Sequence, residues 1–153
     1  MLEAGSPVPD VGAQDQDGND VRLRGFAGRA LVVYFYPKAD TPGCTAESQA
    51  FRDEKDELAA AGAAIVGVSR DTVAAQKKFA EKYALNFPLL ADTSSAICDA
   101  FGVIVEKTMY GKKSIGIQRS TFLIGPDGTI ATVWPRVSVE GHAQAVLDAV
   151  RSR

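Results

Sequence analysis

The chain has 153 residues, a length typical of one domain, and its 46% apolar and 24% charged residues are ordinary for a globular protein. A net charge of −2 argues against nucleic acid or an acidic membrane surface as a partner. Two cysteines and one histidine exclude a disulfide framework and a His-rich metal site. The chain starts without a secretory-signal pattern and its apolar runs are too short to span a bilayer, so we predict a cytoplasmic protein.

The first half of the chain predicts a hairpin followed by buried strands and a long helix. A turn signal at 15–20 lies between two short extended pieces and indicates an N-terminal hairpin. The uninterrupted apolar run 30–36 predicts a strand covered on both faces. Pro37 ends it, because proline has no amide hydrogen to donate. A helix is expected from Thr41 to about Ala61, and a second buried strand over 63–69.

The second half predicts three further helices, a short strand and a second hairpin. Asp71 is the expected N-cap of a helix that runs through Tyr83. The polar stretch 106–119 is interpreted as a loop or a loosely paired segment. The remaining predicted elements are a strand near 88–90, a short helix over 95–101, two strands around the turn 125–128, and a helix that starts near Gly141.

This order alternates strands with helices and ends in an antiparallel hairpin and a helix. Such an order favours a mixed central sheet with helices on both faces. We therefore predict an α/β protein of the thioredoxin-like class that forms one domain over residues 1–153.

Cys44 lies at a chemically significant place in this arrangement. If Thr41 is the N-cap and Pro42 the first helical residue, Cys44 occupies the third helical position. Unpaired backbone N–H groups and the positive end of the helix dipole stabilise a thiolate there, and the thiolate is the nucleophilic form of cysteine. Gly43 leaves room beside the backbone for a ligand. The alternative is that Cys44 is a small packing residue.

The stretch YPKADTPGCT contains the pattern Pro-x-x-x-Thr-x-x-Cys, filled by Pro37, Thr41 and Cys44. It resembles the active-site signature of the peroxiredoxins. The segments FRDEKDEL, GVSRD, FPLLAD and IQRSTFLIGPDGTI extend the resemblance to the bacterioferritin comigratory protein, or Q-type, subgroup. The similarity covers nearly the whole chain, from about Pro9 to Val150.

The resemblance implies a thiol peroxidase for hydrogen peroxide and small organic hydroperoxides that needs no cofactor. Cys44 matches the peroxidatic nucleophile, which becomes a sulfenic acid. Thr41 matches the hydroxyl that hydrogen-bonds the peroxide and the sulfur, and Pro37 matches the proline that shields the thiolate. Arg119 matches the active-site arginine, whose guanidinium would stabilise the charge that develops on the leaving oxygen. Without the resemblance, Arg119 would be interpreted as a surface residue.

Glu47 is a candidate supporting residue, one helical turn after Cys44. Its carboxylate either orients Arg119 or simply complements the helix dipole in the first turn. Of three further aromatic residues, Phe35 is expected in the core. Tyr110 and Trp134 either line an apolar rim or fill the core. For His142, a capping or surface role is favoured over that of a general base.

The chain departs from the subgroup in its second cysteine. Gln49 stands where many members carry a resolving cysteine, and the alternative position near Phe79 and Ala80 has none either. Cys98 is the only internal candidate, and its sequence context favours a packing role. The expected cycle therefore uses one cysteine, with an external reductant: thioredoxin, glutaredoxin or a low-molecular-weight thiol.

We expect the protein to be a monomer. Two other functions are compatible with a reactive cysteine. A peroxide-sensing redox switch would be oxidised once and would signal to a protein partner. A two-cysteine cycle would use Cys98 as the resolving thiol. A thioredoxin-like disulfide reductase is disfavoured because the chain has no CxxC motif.

Overall fold

The computed structural model describes the backbone of residues 1–153 and every side chain except that of Met109. None of the described helices is long and apolar enough to cross a bilayer. The helices are α1 Pro42–Ala60, α2 Val73–Tyr83, α3 Ala96–Phe101 and α4 His142–Arg151, with a short 3₁₀ helix at Leu23–Phe26. The strands are β1 Gly12–Gln14, β2 Asp20–Arg22, β3 Ala30–Phe35, β4 Ala63–Ser69, β5 Leu89–Ala91, β6 Ile104–Met109, β7 Lys112–Ile117, β8 Ser120–Ile124 and β9 Ile130–Trp134.

Seven strands form one mixed sheet in the order β2-β1-β5-β4-β3-β8-β9. The strand β3 lies near its centre, parallel to β4 and antiparallel to β8. All six residues of β3 are buried, which explains its uninterrupted apolar sequence. This is the predicted thioredoxin-like arrangement, and the predicted N-terminal hairpin is confirmed as β1 and β2.

The sheet separates two hydrophobic cores. Alternate residues of β3 enter different cores because successive side chains of a strand point to opposite faces. Tyr34 and Tyr36 join Cys44 in a core that is covered by α1, α2 and α4. Val33 and Phe35 join Cys98 in the core that contains α3 and the 3₁₀ helix. The two cysteines therefore belong to opposite sides of the sheet.

The prediction that Asp71 caps α2 is wrong. The N-cap is Thr72, whose hydroxyl oxygen accepts a hydrogen bond from the backbone N–H of Ala75 at 3.1 Å. Asp71 instead accepts hydrogen bonds from the backbone N–H of Ala39 at 2.8 Å and from the Ser69 hydroxyl at 2.6 Å. Thr and Asp are both good capping residues, so the adjacent pair could not be separated by propensity alone.

The interpretation of 106–119 as a loop or a loosely paired segment is also wrong. Strands β6 and β7 form a regular antiparallel two-stranded sheet, paired from Ile104 with Ile117 to Met109 with Lys112. Tyr110 and Gly111 both have positive φ, at 53° and 78°, as a two-residue turn of type I′ requires. Tyr110 is 97% exposed at the turn. The hairpin of β6 and β7 is exposed along most of its length, so its sequence lacks the apolar alternation that identifies a half-buried hairpin.

Candidate active site

The start of α1 places Cys44 at the third helical position, as predicted. Thr41 is the N-cap with extended backbone angles, φ −101° and ψ 156°, and Pro42 begins the helix. Among the described residues, no group accepts a hydrogen bond from the backbone N–H of Gly43 or Cys44. These N–H groups are therefore available to an oxygen atom near the sulfur, and they add to the positive potential at the helix start.

The loop 37–41 that leads into α1 is tied to the rest of the fold. Asp71 holds the backbone N–H of Ala39. Asp40 has a positive φ of 59°, a left-handed conformation that Asp tolerates better than most residues. Its carboxylate accepts hydrogen bonds from the Tyr83 hydroxyl at 2.6 Å and from Lys82 at 2.9 Å. Contacts from the link between β4 and α2 and from α2 itself therefore set the direction in which α1 begins.

A single guanidinium connects Cys44 to Glu47. Arg119, in the link between β7 and β8, donates from Nη2 to Cys44 Sγ at 3.3 Å and from Nη1 to Glu47 Oε1 at 2.7 Å. Cys44 and Glu47 are each 1% exposed, and the Arg119 side chain is 16% exposed. Because the contact lies mostly away from water, its hydrogen bonds are stronger than those of an exposed pair. The structure thus brings together three residues predicted from the sequence.

Gly43 provides the space that the arginine occupies. A Cβ atom at this position would lie 3.1 Å from Arg119 Nη2, tighter than ordinary van der Waals contact. The sequence predicted that Gly43 leaves room for a ligand. In the structure, the neighbour in that room is the guanidinium.

Thr41 and Pro37 lie on the loop before α1. The Thr41 hydroxyl donates to the backbone carbonyl of Lys38 at 2.7 Å and makes no capping bond to α1. Among the described contacts it has no hydrogen bond to Cys44 Sγ. Pro37 is exposed, immediately after the buried Tyr36. The roles expected for these two residues toward a peroxide stay predictions.

Burial and charge act in opposite directions on the groups around Arg119. Burial raises the pKa of Glu47 from its ordinary range to about 7, although the charge of Arg119 and its hydrogen bond lower it. Burial alone would lower the pKa of Arg119, but Glu47 and Cys44 outweigh it and raise that pKa. Arg119 is therefore a permanent cation, whereas Glu47 changes its charge near neutral pH.

His142 is buried and the N-cap of α4 is Gly141, so the capping or surface role favoured by the sequence is wrong. It begins α4, is 6% exposed, and its Nε2 lies 2.8 Å from the Thr121 hydroxyl on β8. Its ring packs edge-on against Phe51 and Trp134. Burial, together with the charge of Arg119, lowers the pKa of His142 to about 4. The imidazole is therefore neutral at physiological pH and acts as a packing residue next to the site.

The polar contacts beneath Cys44 were not predicted from the sequence. The Tyr34 hydroxyl shares a hydrogen bond of 2.8 Å with Ser48, and the Tyr36 hydroxyl donates to Gln76 at 2.6 Å. Gln76 in turn donates to Ser69 at 2.9 Å. A signal was present, since two tyrosines two residues apart in an apolar strand must place their hydroxyls on one face and need buried partners.

Cys98 occupies a different environment. It is fully buried in α3, and the backbone N–H groups of Ile97 and Cys98 both donate to Asp92. Burial, followed by the hydrogen bond and charge of Asp92, raises the pKa of the Cys98 thiol far above its ordinary range. The packing role predicted for this cysteine agrees with this environment.

Comparisons with known proteins identify relatives that cover almost the whole chain. Residues 4–133 match the AhpC/TSA family. Peroxiredoxin Bcp of Xanthomonas campestris is 46% identical over 99% of this chain and 95% of its own length, and peroxiredoxin Bcp of Escherichia coli is 44% identical over 96% and 94%. A solved structure of the X. campestris bacterioferritin comigratory protein, from trapped intermediate and ligand complexes that concern its alkyl peroxide reduction activity, gives a TM-score of 0.92 at 45% identity over 98% of each chain.

These matches agree with the fold. The relatives are peroxiredoxins, which are thiol peroxidases, and their full-length similarity extends to this chain. The chain belongs to the AhpC/TSA family and is a peroxiredoxin of the bacterioferritin comigratory protein, or Q-type, group.

Proposed function

We propose that Cys44, as a thiolate, attacks one oxygen of a hydroperoxide and becomes a sulfenic acid. The S–O bond forms as the O–O bond breaks, and the leaving oxygen takes up a proton to give an alcohol or water. The observation that carries this proposal is the 3.3 Å contact between Arg119 Nη2 and Cys44 Sγ at the start of a helix. A cation and two unpaired N–H groups at this position stabilise the negative charge that moves from sulfur to the leaving oxygen.

Thr41 and Pro37 complete the proposed site. The Thr41 hydroxyl, which donates to the Lys38 carbonyl, retains an oxygen that can accept a hydrogen bond from the peroxide O–H. Pro37 offers no N–H to solvent at the entrance and so keeps water-binding groups away from the sulfur. Both assignments follow the residue pattern Pro-x-x-x-Thr-x-x-Cys.

The proposed substrates are hydrogen peroxide and small organic hydroperoxides. Cys44 is almost inaccessible to solvent, so the attacking geometry favours a small molecule with an exposed O–O group. The X. campestris relative is described by its alkyl peroxide reduction activity, which supports organic hydroperoxides as substrates here.

The proposed cycle uses one cysteine and an external thiol. Gln49 fills one position of a resolving cysteine, and Phe79 and Ala80 fill the other. A disulfide with Cys98 would require the two Cα atoms to approach within roughly 4.4–6.8 Å, and the central sheet lies between the two side chains. We therefore assign the reduction of Cys44 to thioredoxin, glutaredoxin or a low-molecular-weight thiol in the cytoplasm.

The test is peroxide consumption in the steady state with each class of thiol donor. We expect many turnovers per enzyme with at least one donor, and none above background in Cys44→Ser. A single stoichiometric oxidation with every donor would contradict the peroxidase cycle. That result would favour the redox switch, in which oxidised Cys44 persists.

A further inference from the structure

Cys44, Glu47 and Arg119 form a trio in which acidic groups outnumber cations. It contains two acidic side chains and one cation, and all three lie mostly out of water. Among the described side chains, no other charged group hydrogen-bonds to it. With both acids ionised, the buried trio would carry one uncompensated negative charge, which a low-dielectric interior strongly disfavours.

The neighbouring titratable groups do not compensate that charge. Tyr34 on β3 feels the charges of Glu47 and Cys44, but burial raises its pKa well above its ordinary range, so it stays a neutral phenol. His142 on α4 faces Arg119 and is neutral because its pKa is lowered to about 4. Arg119 is thus the only cation that faces the two acids from the elements packed around them, among the described residues.

The geometry of Glu47 makes its carboxylate a poor anion. Its Oε1 accepts one hydrogen bond from Arg119, whereas its Oε2 is buried and has no partner among the described residues. A buried carboxylate with one oxygen unpaired loses much of the hydrogen bonding that it would have in water, and a neutral carboxylic acid loses less. The same loss of contact with water raises the pKa of Glu47 to about 7. The Cys44 sulfur, in contrast, lies at the helix start.

We propose that Glu47 holds a proton while Cys44 is a thiolate and releases it when Cys44 is oxidised. This inference rests on the proposed function and deepens it. In the reduced enzyme the trio consists of a thiolate, a carboxylic acid and a guanidinium. After attack on ROOH it consists of a neutral sulfenic acid, a carboxylate and a guanidinium. The trio is electrically neutral in both states.

The exchange balances in atoms and charge. The thiolate, the Glu47 carboxylic acid and ROOH give the sulfenic acid, the Glu47 carboxylate and ROH. The sulfur is oxidised and the O–O bond is reduced. The proton leaves Glu47 for water, and the leaving alkoxide takes one from water. When an external thiol restores the Cys44 thiolate, Glu47 binds a proton again. Glu47 therefore acts as a positioning and proton-holding residue and does not contact the peroxide.

Redox-difference infrared spectroscopy of the full chain tests this proposal near neutral pH. Reduced protein is compared with protein treated with one equivalent of hydrogen peroxide, and the oxidation of Cys44 is verified by mass spectrometry on the same sample. We expect the carbonyl band of one protonated carboxylic acid to disappear on oxidation. The band should be absent in Glu47→Gln and retained in the control Glu57→Gln, whose carboxylate is exposed on the same helix.

Labelling glutamate with a carbon isotope keeps the test decisive if Glu47→Gln does not fold. Glu47 is the only buried glutamate among the described residues, so a band that shifts with the label belongs to it. Oxidised protein that loses no such band, or that loses it equally in Glu47→Gln, overturns the proposal alone. Protein in which Cys44 stays a thiol after peroxide overturns the proposed function and this proposal with it.

Discussion

The two cysteines are equally hidden from solvent, yet the protein surrounds them in opposite ways. Cys44 is 1% exposed and Cys98 is 0% exposed. Cys44 has a guanidinium 3.3 Å from its sulfur and lies in the first turn of a helix of 19 residues. Cys98 lies in a helix of six residues beside the carboxylate of Asp92, which makes its ionisation harder.

This comparison shows that burial alone does not decide whether a thiol reacts. Burial disfavours any anion, so the partners that the fold supplies determine the outcome. On one face of the sheet they are a cation and unpaired N–H groups. On the other face the nearest acid side chain repels a second negative charge. The sheet therefore separates a sulfur that has a cation beside it from a thiol that is kept neutral.

The largest expected effect is the loss of the nucleophile. Cys44→Ser should reduce peroxidase turnover to background, because serine has no comparable anion at neutral pH. Cys98→Ser is the matched control: it should keep turnover within a few-fold of wild type, since Cys98 takes no part in the proposed cycle. Circular dichroism establishes that both variants fold. Substantial turnover in Cys44→Ser, or its loss in folded Cys98→Ser, would remove the distinction between the two cysteines.

The next effect concerns the cation that distinguishes the two environments. In Arg119→Lys a single ammonium group replaces the fork that reaches Glu47 Oε1 and Cys44 Sγ together. We expect kcat/KM for peroxide to fall by about 10²–10³-fold, the size typical for removing one preorganised charge-stabilising donor. The control is Arg22→Lys, because Arg22 forms an exposed ion pair with Asp10. A wild-type rate in Arg119→Lys would show that positive charge alone is sufficient.

His142 should make the free energy of unfolding depend on pH. Its pKa is about 4 in the folded protein against 6.5 ordinarily, so the unfolded chain binds a proton first as the pH falls. The stabilisation is complete above pH 6.5 and is lost as the pH falls to 4, by up to about 3 kcal/mol at about 1.36 kcal/mol per unit. Urea unfolding of wild type and His142→Gln at several pH values measures it. Parallel pH profiles would contradict the prediction.

Glu47 should act with the opposite sign. Its pKa is raised from 4.5 to about 7, so the folded protein binds the proton more tightly than the unfolded chain. Relative to Glu47→Gln, the free energy of unfolding of wild type should therefore fall as the pH rises from 4.5 to 7, by up to about 3 kcal/mol. The same urea series measures this slope. A difference that stays constant or grows with pH over this range would show that Glu47 is ionised in the folded protein throughout.

A smaller effect is expected from the tether of the loop before α1. Asp71→Ala leaves the backbone N–H of Ala39 and the Ser69 hydroxyl without their acceptor. We expect a loss of about 1 to 2 kcal/mol in the free energy of unfolding, because Ser69 is fully buried whereas Ala39 is only partly buried. Peroxide turnover should fall with it, since the loop sets the start of α1. Asp53→Ala on the exposed side of α1 is the control, and equal stability of the two variants would contradict the role of Asp71.

Much of this fold and site follows from patterns that the sequence displays directly. The apolar runs of β3 and β4 and the Thr41-Pro42-Gly43-Cys44 start of α1 are local signals with one physical meaning. Two features needed more than local signals. The N-cap of α2 is Thr72 because the neighbouring candidate, Asp71, accepts a hydrogen bond from the backbone N–H of Ala39 instead. The burial of His142 depended on packing against Phe51, which lies far away in the chain, as well as against Trp134.

Local sequence patterns were also insufficient to predict the site. Arg119 lies 75 residues from Cys44, and no spacing rule brings them together. The family resemblance identified it, whereas composition and periodicity would have left it on the surface. The Oε2 of Glu47 could not be identified from the sequence, because its lack of partners among the described residues depends on the three-dimensional structure.

The most direct test of the one-cysteine cycle is to oxidise the protein with one equivalent of peroxide and map its cysteines by mass spectrometry without reduction. Because the sheet lies between Cys44 and Cys98, we predict oxygen addition at Cys44, or its adduct with an added thiol, while Cys98 stays a free thiol. A dominant disulfide between Cys44 and Cys98 within one chain would contradict the account.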